Sequence, residues 1–164
     1  MVLGSLWGSS ITKKHVEQRL IRTNPFHLFR IIQDVDRYSE FVPLCFHSEV
    51  LRRSNDGRYF DATLTVGFPP LLTEHYVSRV EVDPSRLSVK ARSISSQHLE
   101  ALASRFLLTP QDDKGVHVDF QVEMTVRDPL IGQALDRVLQ DVAKQQVEAF
   151  ELRCHELPVE DSSS

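Results

Sequence analysis

VHVDFQVEMTVRDPLIGQALDRVLQDVAKQQVEAFELRCHEL, residues 116–157, sets two periodicities back to back. Across 116–126 the apolar residues Val116, Val118, Phe120, Val122, Met124 and Val126 alternate with His117, Asp119, Gln121, Glu123 and Thr125. Successive strand side chains point to opposite faces, so this alternation predicts an antiparallel strand with one face buried. Asp128-Pro129 reads as a helix start. The aspartate caps free N–H groups, and proline at the first helical position gives up a donor that has no partner there. Ile131, Leu135, Val138, Val142, Val147, Phe150, Cys154 and Leu157 then recur at three-and-four spacing. The pattern predicts a helix of about 28 residues, ~42 Å long at 1.5 Å per residue.

Upstream, alternation begins at Lys14 and predicts a first strand through Ile21. Asn24-Pro25 repeats the cap-then-proline signal and opens a helix of about twelve residues, which ends before Pro43. Phe26, Phe29, Ile32 and Asp36 form one stripe of it, and Leu28, Ile31 and Val35 its neighbour. Five strands are then expected over 46–53, 59–68, 73–82, 87–93 and 99–109, ahead of the strand at 116–126. Asn55-Asp56-Gly57, Asp83-Pro84-Ser85 and the polar run 111–115 supply the turns. Strand, helix, six strands and a long helix, without βαβ alternation, is an α+β order. Hairpin-length links make the sheet antiparallel, and its inherent twist and curl would wrap it around the one long helix and enclose a space.

The whole chain has 164 residues with 41% hydrophobic and 26% charged content, in the range of one globular domain and outside disordered or collagenous composition. We divide it into an N-terminal tail or leader remnant at 1–12, a domain at 13–158 and a C-terminal tail at 159–164. Net charge is −4, yet residues 1–30 carry Lys13, Lys14, Arg19, Arg22 and Arg30 against Glu17 alone. No general nucleic-acid surface is expected from this balance. Cys45 and Cys154 are too few for a disulfide framework and fit a reducing compartment. No apolar run reaches the ~20 residues of a membrane-spanning helix.

Catalytic signals are sparse. The seven His show no H-E-x-x-H spacing and no metal site is read; G-x-S-x-G and a Gly-rich phosphate loop are both missing. His75 and His117 fall on the solvated faces of strands. Glu74 and Arg105 put a charge near the mouth of the enclosed space or form a surface salt bridge. Asp34 and Asp36 end the first helix, where carboxylates oppose the helix dipole, and pairing with Arg37 or Arg30 would offset this.

The element order matches the helix-grip fold of START-type and polyketide-cyclase-like proteins, and local sequence narrows it. Asp34-Val35-Asp36-Arg37-Tyr38-Ser39-Glu40-Phe41-Val42-Pro43-Leu44-Cys45 resembles the V-x-x-Y-x-x-F-V-P-W-C segment of the mitochondrial coenzyme Q-binding START-domain family. Val66-Gly67-Phe68-Pro69-Pro70 with Glu74-His75-Tyr76-Val77-Ser78 is similar to that family's hairpin, and Val118-Asp119-Phe120 and Val147–Arg153 to its last strand and helix. Leu44 departs from a frequent Trp, and Phe106-Leu107-Leu108 from a common Trp-x-Phe. The resemblance spans about residues 14–157. It implies a curved antiparallel sheet of about seven strands around a C-terminal helix, with a short helix after the first strand. It also implies a non-enzymatic module that binds coenzyme Q (ubiquinone) or its late lipid precursors. Such a module would sit peripherally on the matrix side of the mitochondrial inner membrane and support respiratory electron transport and quinone biosynthesis as a lipid chaperone or carrier. The quinone would be a bound ligand rather than a catalytic cofactor. A ribosome-associated interaction protein, as among bacterial relatives, and a cyclase-like enzyme on the same fold are the alternatives.

A polyprenyl quinone needs a long apolar slot with few polar groups. Candidate lining residues are Phe60, Leu64, Val66, Phe106, Leu108, Phe120, Val122 and Met124 from the strands, and Leu135, Leu139, Val142 and Phe150 from the long helix. Each also reads as plain core. Tyr38, Phe41, Val42 and Pro43 form a stiff apolar corner, either a cavity rim and ligand gate or a packed turn. Phe68, Pro69, Pro70, Leu71 and Leu72 put five apolar residues at a hairpin tip, where polar ones are usual. Exposed apolar clusters mark interaction sites or membrane contact, and the two prolines remove N–H donors that a poorly hydrating layer would leave unpaired. A tip folded onto the core, or buried between two copies of the chain in a homo-oligomer, is the other reading.

Overall fold

A computed structural model describes residues 9–112 and 115–159. Seven strands form one sheet: β1 (Ile11–Ile21), β2 (Cys45–Arg53), β3 (Tyr59–Phe68), β4 (Leu72–Asp83), β5 (Ser88–Ser96), β6 (Ala101–Pro110) and β7 (Val116–Val126). Its order is β1-β7-β6-β5-β4-β3-β2, so chain neighbours are sheet neighbours except at β1, which closes antiparallel onto β7. The fold is the expected α+β helix grip. The strands expected at 59–68 and 116–126 and the helix expected from Pro129 keep their limits; the other strands shift by one to three residues at their ends. β1 takes in Ile11 and Thr12 from the stretch read as a tail; residues 1–8 and 160–164 lie outside the described residues.

The long helix α3 (Pro129–Glu156) starts where Asp128 accepts from the Leu130 N–H. It buries Leu135, Val138, Leu139, Ala143, Val147, Phe150 and Cys154 against the concave face of the sheet. Gly132 lets it close on β1: a Cβ there would stand 2.4 Å from the Ile11 Cδ1.

The first helix is shorter than its periodicity predicts. α1 (Pro25–Gln33) is capped by the Asn24 side chain on the Phe26 N–H, stops at Gln33, and gives way to a 3₁₀ turn (Val35–Arg37) and a single turn α2 (Tyr38–Phe41). Phe26, placed on its apolar stripe, is 63% exposed; the buried residues are His27, Leu28, Phe29, Ile31 and Ile32. The carboxylates at its end are structural. Asp34 pairs with Arg37 at 3.3 Å, and Asp36 accepts from the Val50 N–H at 2.6 Å, tying the 3₁₀ turn to β2.

β1 reverses the usual polarity of an amphipathic strand. Val16 and Leu20 face out, 40% and 57% exposed. Lys13, His15, Glu17 and Arg19 share the half-buried face, where Lys13 meets Asp136 at 3.3 Å and Arg19 meets Glu151 at 3.0 Å, both on α3. Ion pairs thus replace part of the apolar seam between β1 and the helix.

Glu74 is wholly buried on β4, and its carboxylate accepts from the backbone N–H groups of Gln97, His98 and Leu99 at 2.5–3.1 Å. It therefore anchors the link where β5 peels away from β6, and does not form a salt bridge. Arg105 is on the outer face, 3.8 Å from Asp119. His75 is exposed and bonds Thr65 across the β3–β4 pair.

Candidate functional site

Between α3 and the concave sheet lie two adjoining chambers of about 90 Å³ each. Val42, Val66, Tyr76, Ser104 and Gln146 line both. Register explains why space remains there. On the inner face Phe60 pairs with Val80, Val80 with Ala91, Ala91 with Ser104 and Ser104 with Val122. Small residues occupy the middle of this row, and Ser78 extends them on β4. Large residues surround them, so the sheet closes on α3 without filling the centre. Each chamber is smaller than the ~300–1,000 Å³ of an ordinary ligand pocket. Space of this size has room for a ring-sized group rather than a polyprenyl chain.

Of the expected lining residues, Tyr38, Val42, Pro43, Leu64, Val66, Phe106, Phe120, Val122 and Val142 do face the chambers. Phe60, Leu108, Met124, Leu135 and Leu139 are buried core and line neither. Phe41 and Phe150 also stand back from the walls, in an aromatic cluster beneath them. Phe150 meets Tyr38, Phe41 and Phe106 edge-on, with ring centroids at 5.3, 5.2 and 5.1 Å, and Phe106 stacks on Phe120 at 4.4 Å. That cluster forms the floor of the cavity. Sequence reading missed the polar and small wall residues Tyr76, Ser78, Ala91, Ser104, Gln145 and Gln146. Strand alternation places Tyr76, Ser78 and Ser104 on inward positions, and that was the available signal.

The polar groups are few. The Tyr38 hydroxyl donates to the Ile32 carbonyl oxygen. The Tyr76 hydroxyl and the side chains of Ser104 and Gln146 make no hydrogen bond with any described residue, and all three line both chambers. Burial pushes both phenols well above their usual range. They stay protonated and serve as donors. Burial also raises the thiol of Cys45 and pushes that of Cys154 up to about 12, so neither is a thiolate at neutral pH.

The rim differs from expectation at three residues: Leu71 and Leu72 pack partly against the core, and Phe68 goes further. Phe68, read as a membrane-facing tip residue, is 4% exposed and belongs to the core and the chamber wall. Its ring turns inward from the end of β3, whereas Pro69 and Pro70 are exposed and Leu71 and Leu72 half-buried. Two residues not anticipated join them: Leu44, 38% exposed, and Phe46, 61% exposed. Both lie over Gly67, where a Cβ would stand 3.2 Å from the Phe46 ring and 3.6 Å from the Leu44 Cβ. Leu44 is held at φ 62°, a left-handed conformation that costs a non-glycine residue of order 1 kcal/mol. The Gly67 N–H donates to its carbonyl at 2.8 Å, fixing the 42–44 corner to the hairpin. An apolar lip thus runs from Leu44 and Phe46 to the tip.

Residues 23–151 match the family described as polyketide cyclase / dehydrase and lipid transport. The mitochondrial coenzyme Q-binding protein of Schizosaccharomyces pombe is 31% identical over 133 residues, which cover 80% of this chain and 80% of that protein. Among solved structures, a START superfamily protein from Mycobacterium smegmatis superposes with a TM-score of 0.79 at 17% identity, covering 88% of this chain and 99% of that one. The Zhui aromatase/cyclase of a Streptomyces species gives 0.78 at 14% identity, covering 88% and 94%. These two likenesses concern the fold alone.

Proposed function

The chain belongs to the polyketide cyclase / dehydrase and lipid transport family, on its mitochondrial coenzyme Q-binding branch, and we propose that it binds coenzyme Q or a late lipid precursor, ring first, in the paired chambers. The carrying observation is the hydroxyl of half-buried Tyr76, without a hydrogen bond to any described residue and set with Ser104 and Gln146 in otherwise apolar walls. A bound acceptor would give this hydroxyl a hydrogen bond worth about 0.5–1.5 kcal/mol. A quinone ring offers two carbonyl acceptors on an apolar body, which suits these donors. The tail exceeds the closed cavity and would leave past the lip of Leu44 and Phe46 into a membrane. The module would act by extraction and presentation, shielding the ring and the first isoprenes while a membrane or a second copy of the chain shields the rest. It would serve quinone biosynthesis and respiratory electron transport from the matrix face of the inner membrane.

Calorimetric titration with a one-isoprene coenzyme Q analogue tests the site. Tyr76→Phe is expected to weaken binding about two- to tenfold, the worth of one neutral hydrogen bond. Ser104→Trp, which fills both chambers, is expected to abolish it. Failure of the unaltered protein to bind the analogue, or full binding by Ser104→Trp, overturns the reading.

The lip has its own test. Leu71→Glu with Leu72→Glu puts two charges on the proposed membrane contact, where ionised groups are disfavoured. Flotation with liposomes should be lost while the circular dichroism spectrum stays the same. Unchanged flotation contradicts a membrane role for this tip.

A further inference from the structure

On the convex face of the sheet, opposite the cavity, a groove of about 360 Å³ opens over β4, β5 and β6. That volume falls within the ~300–1,000 Å³ of ordinary small-molecule sites. Register fixes its lining. Arg79 of β4 is directly opposite Arg92 of β5, and Lys90 of β5 is directly opposite Arg105 of β6. Directly opposed Cβ atoms are ~5 Å apart, and residues two apart on one strand are ~7 Å apart. The four cations therefore form a tight zigzag, and Ala103, opposite Arg92, leaves the floor open beside it.

Like charges directly opposite one another destabilise a sheet, and this chain carries a net −4, so the zigzag is not an overflow of basic residues. Its neutralisation is partial. Asp61 takes Arg79 through a two-pronged contact at 2.9 and 3.0 Å, and that fork holds the Asp61 carboxyl below the usual carboxylate range. Asp119 reaches Arg105 only at 3.8 Å, and the Arg105 Nε is buried with no hydrogen-bond partner among the described residues. Lys90 and Arg92 form no ion pair with any described residue, although Glu81 lies opposite Lys90 in register.

We propose that this groove binds a polyphosphate chain, free or as part of a nucleotide. The planar forks of Arg92 and Arg105 suit phosphate oxygens two at a time, Lys90 and the Asp61-held Arg79 add charge beside them, and the stepped spacing suits successive phosphates better than one carboxylate. Glu81, opposite Lys90, and Glu123, opposite Lys14 at the far wall, interrupt the cationic run on both sides. A long nucleic-acid backbone would meet those carboxylates, whereas a short chain of phosphates fits between them. A membrane headgroup is the wrong occupant as well. Arg79 lies six residues along β4 from Thr73 at the lip, ~20 Å at 3.4 Å per residue and well beyond the ~8 Å Debye length. Ala91 and Ser104 line both this groove and the cavity, so one layer of backbone separates the two sites. The proposal stands independently of the quinone reading.

The test is calorimetric titration of the full chain with sodium triphosphate, ATP and adenosine at low salt. Triphosphate and ATP should bind and adenosine should not. Equal affinities assign the site to the phosphates alone, and tighter ATP binding, lost in Tyr59→Ala, assigns it to a nucleotide; either result supports the site. Lys90→Ser with Arg92→Ser should weaken both about tenfold or more, with the melting temperature unchanged or raised and the short-quinone titration unchanged. No binding of either phosphate compound at ~1 mM, or undiminished binding by the double variant, overturns the proposal. Binding of a ten-nucleotide RNA without binding of triphosphate overturns it in favour of a nucleic-acid surface.

Discussion

Phe150→Ala is expected to lower the free energy of unfolding by about 3–5 kcal/mol, the usual cost of removing a large aromatic from a core. Phe150 is 1% exposed and stands where the helix meets the sheet. Its ring touches those of Tyr38, Phe41 and Phe106, each edge-on within 5.3 Å, and such contacts add ~0.5–1.5 kcal/mol each to simple burial. α2 has no fully buried residue of its own, and the rings of Tyr38 and Phe41 both pack on this one. The loss should therefore appear first as loosening of residues 38–44, read by hydrogen exchange, before global unfolding in urea. Because Tyr38 and Phe106 form a chamber wall, the vacated space should join the cavity and admit a larger ring system. A change below about 1 kcal/mol would show that Phe150 is not the hub of the floor.

Glu74→Ala is expected to cost a comparable 3 kcal/mol or more, for an electrostatic reason. The carboxylate is completely buried and accepts three backbone N–H groups from one loop. Hydrogen bonds to a charged group are worth ~1.5–3 kcal/mol, and removing this one acceptor strands donors away from water. Glu74→Gln keeps one acceptor oxygen and should fall between alanine and the unaltered protein. Hydrogen exchange at Gln97, His98 and Leu99, with urea denaturation, reads both effects. Unchanged protection at those three amides contradicts the anchoring role.

How much of this was legible in the sequence depends on how local each signal is. Val116–Val126 and Pro129–Glu156 carry an unbroken period, and one neighbouring cap suffices to start the helix, so both were read to within their limits. The short helix was misread because Asp34 and Asp36 look helical by spacing, while a local pair with Arg37 and a tertiary bond from Val50 favour a 3₁₀ turn. β1 was legible as a strand but not in its facing. Ion pairs to Asp136, Glu148 and Glu151 decide that, and those partners lie over 100 residues away. The tip shows a different limit: Phe68 reads like Leu71 and Leu72 by composition, yet it shares the parity of Phe60, Ala62 and Leu64 along β3, and that alternation carries its ring inward. The cavity follows from small residues meeting across β4, β5 and β6. Ser78, Ala91 and Ser104 are unremarked within their own strands and become a wall only once register aligns them.

The central claim is that the paired chambers hold the ring of coenzyme Q or a close precursor. Organic extraction of the purified full chain, followed by mass spectrometry, tests it most directly. The account predicts a quinone or quinone precursor approaching one per chain, lost in Ser104→Trp. Extraction of phospholipid alone, or of no lipid from protein purified out of quinone-containing cells, would contradict it.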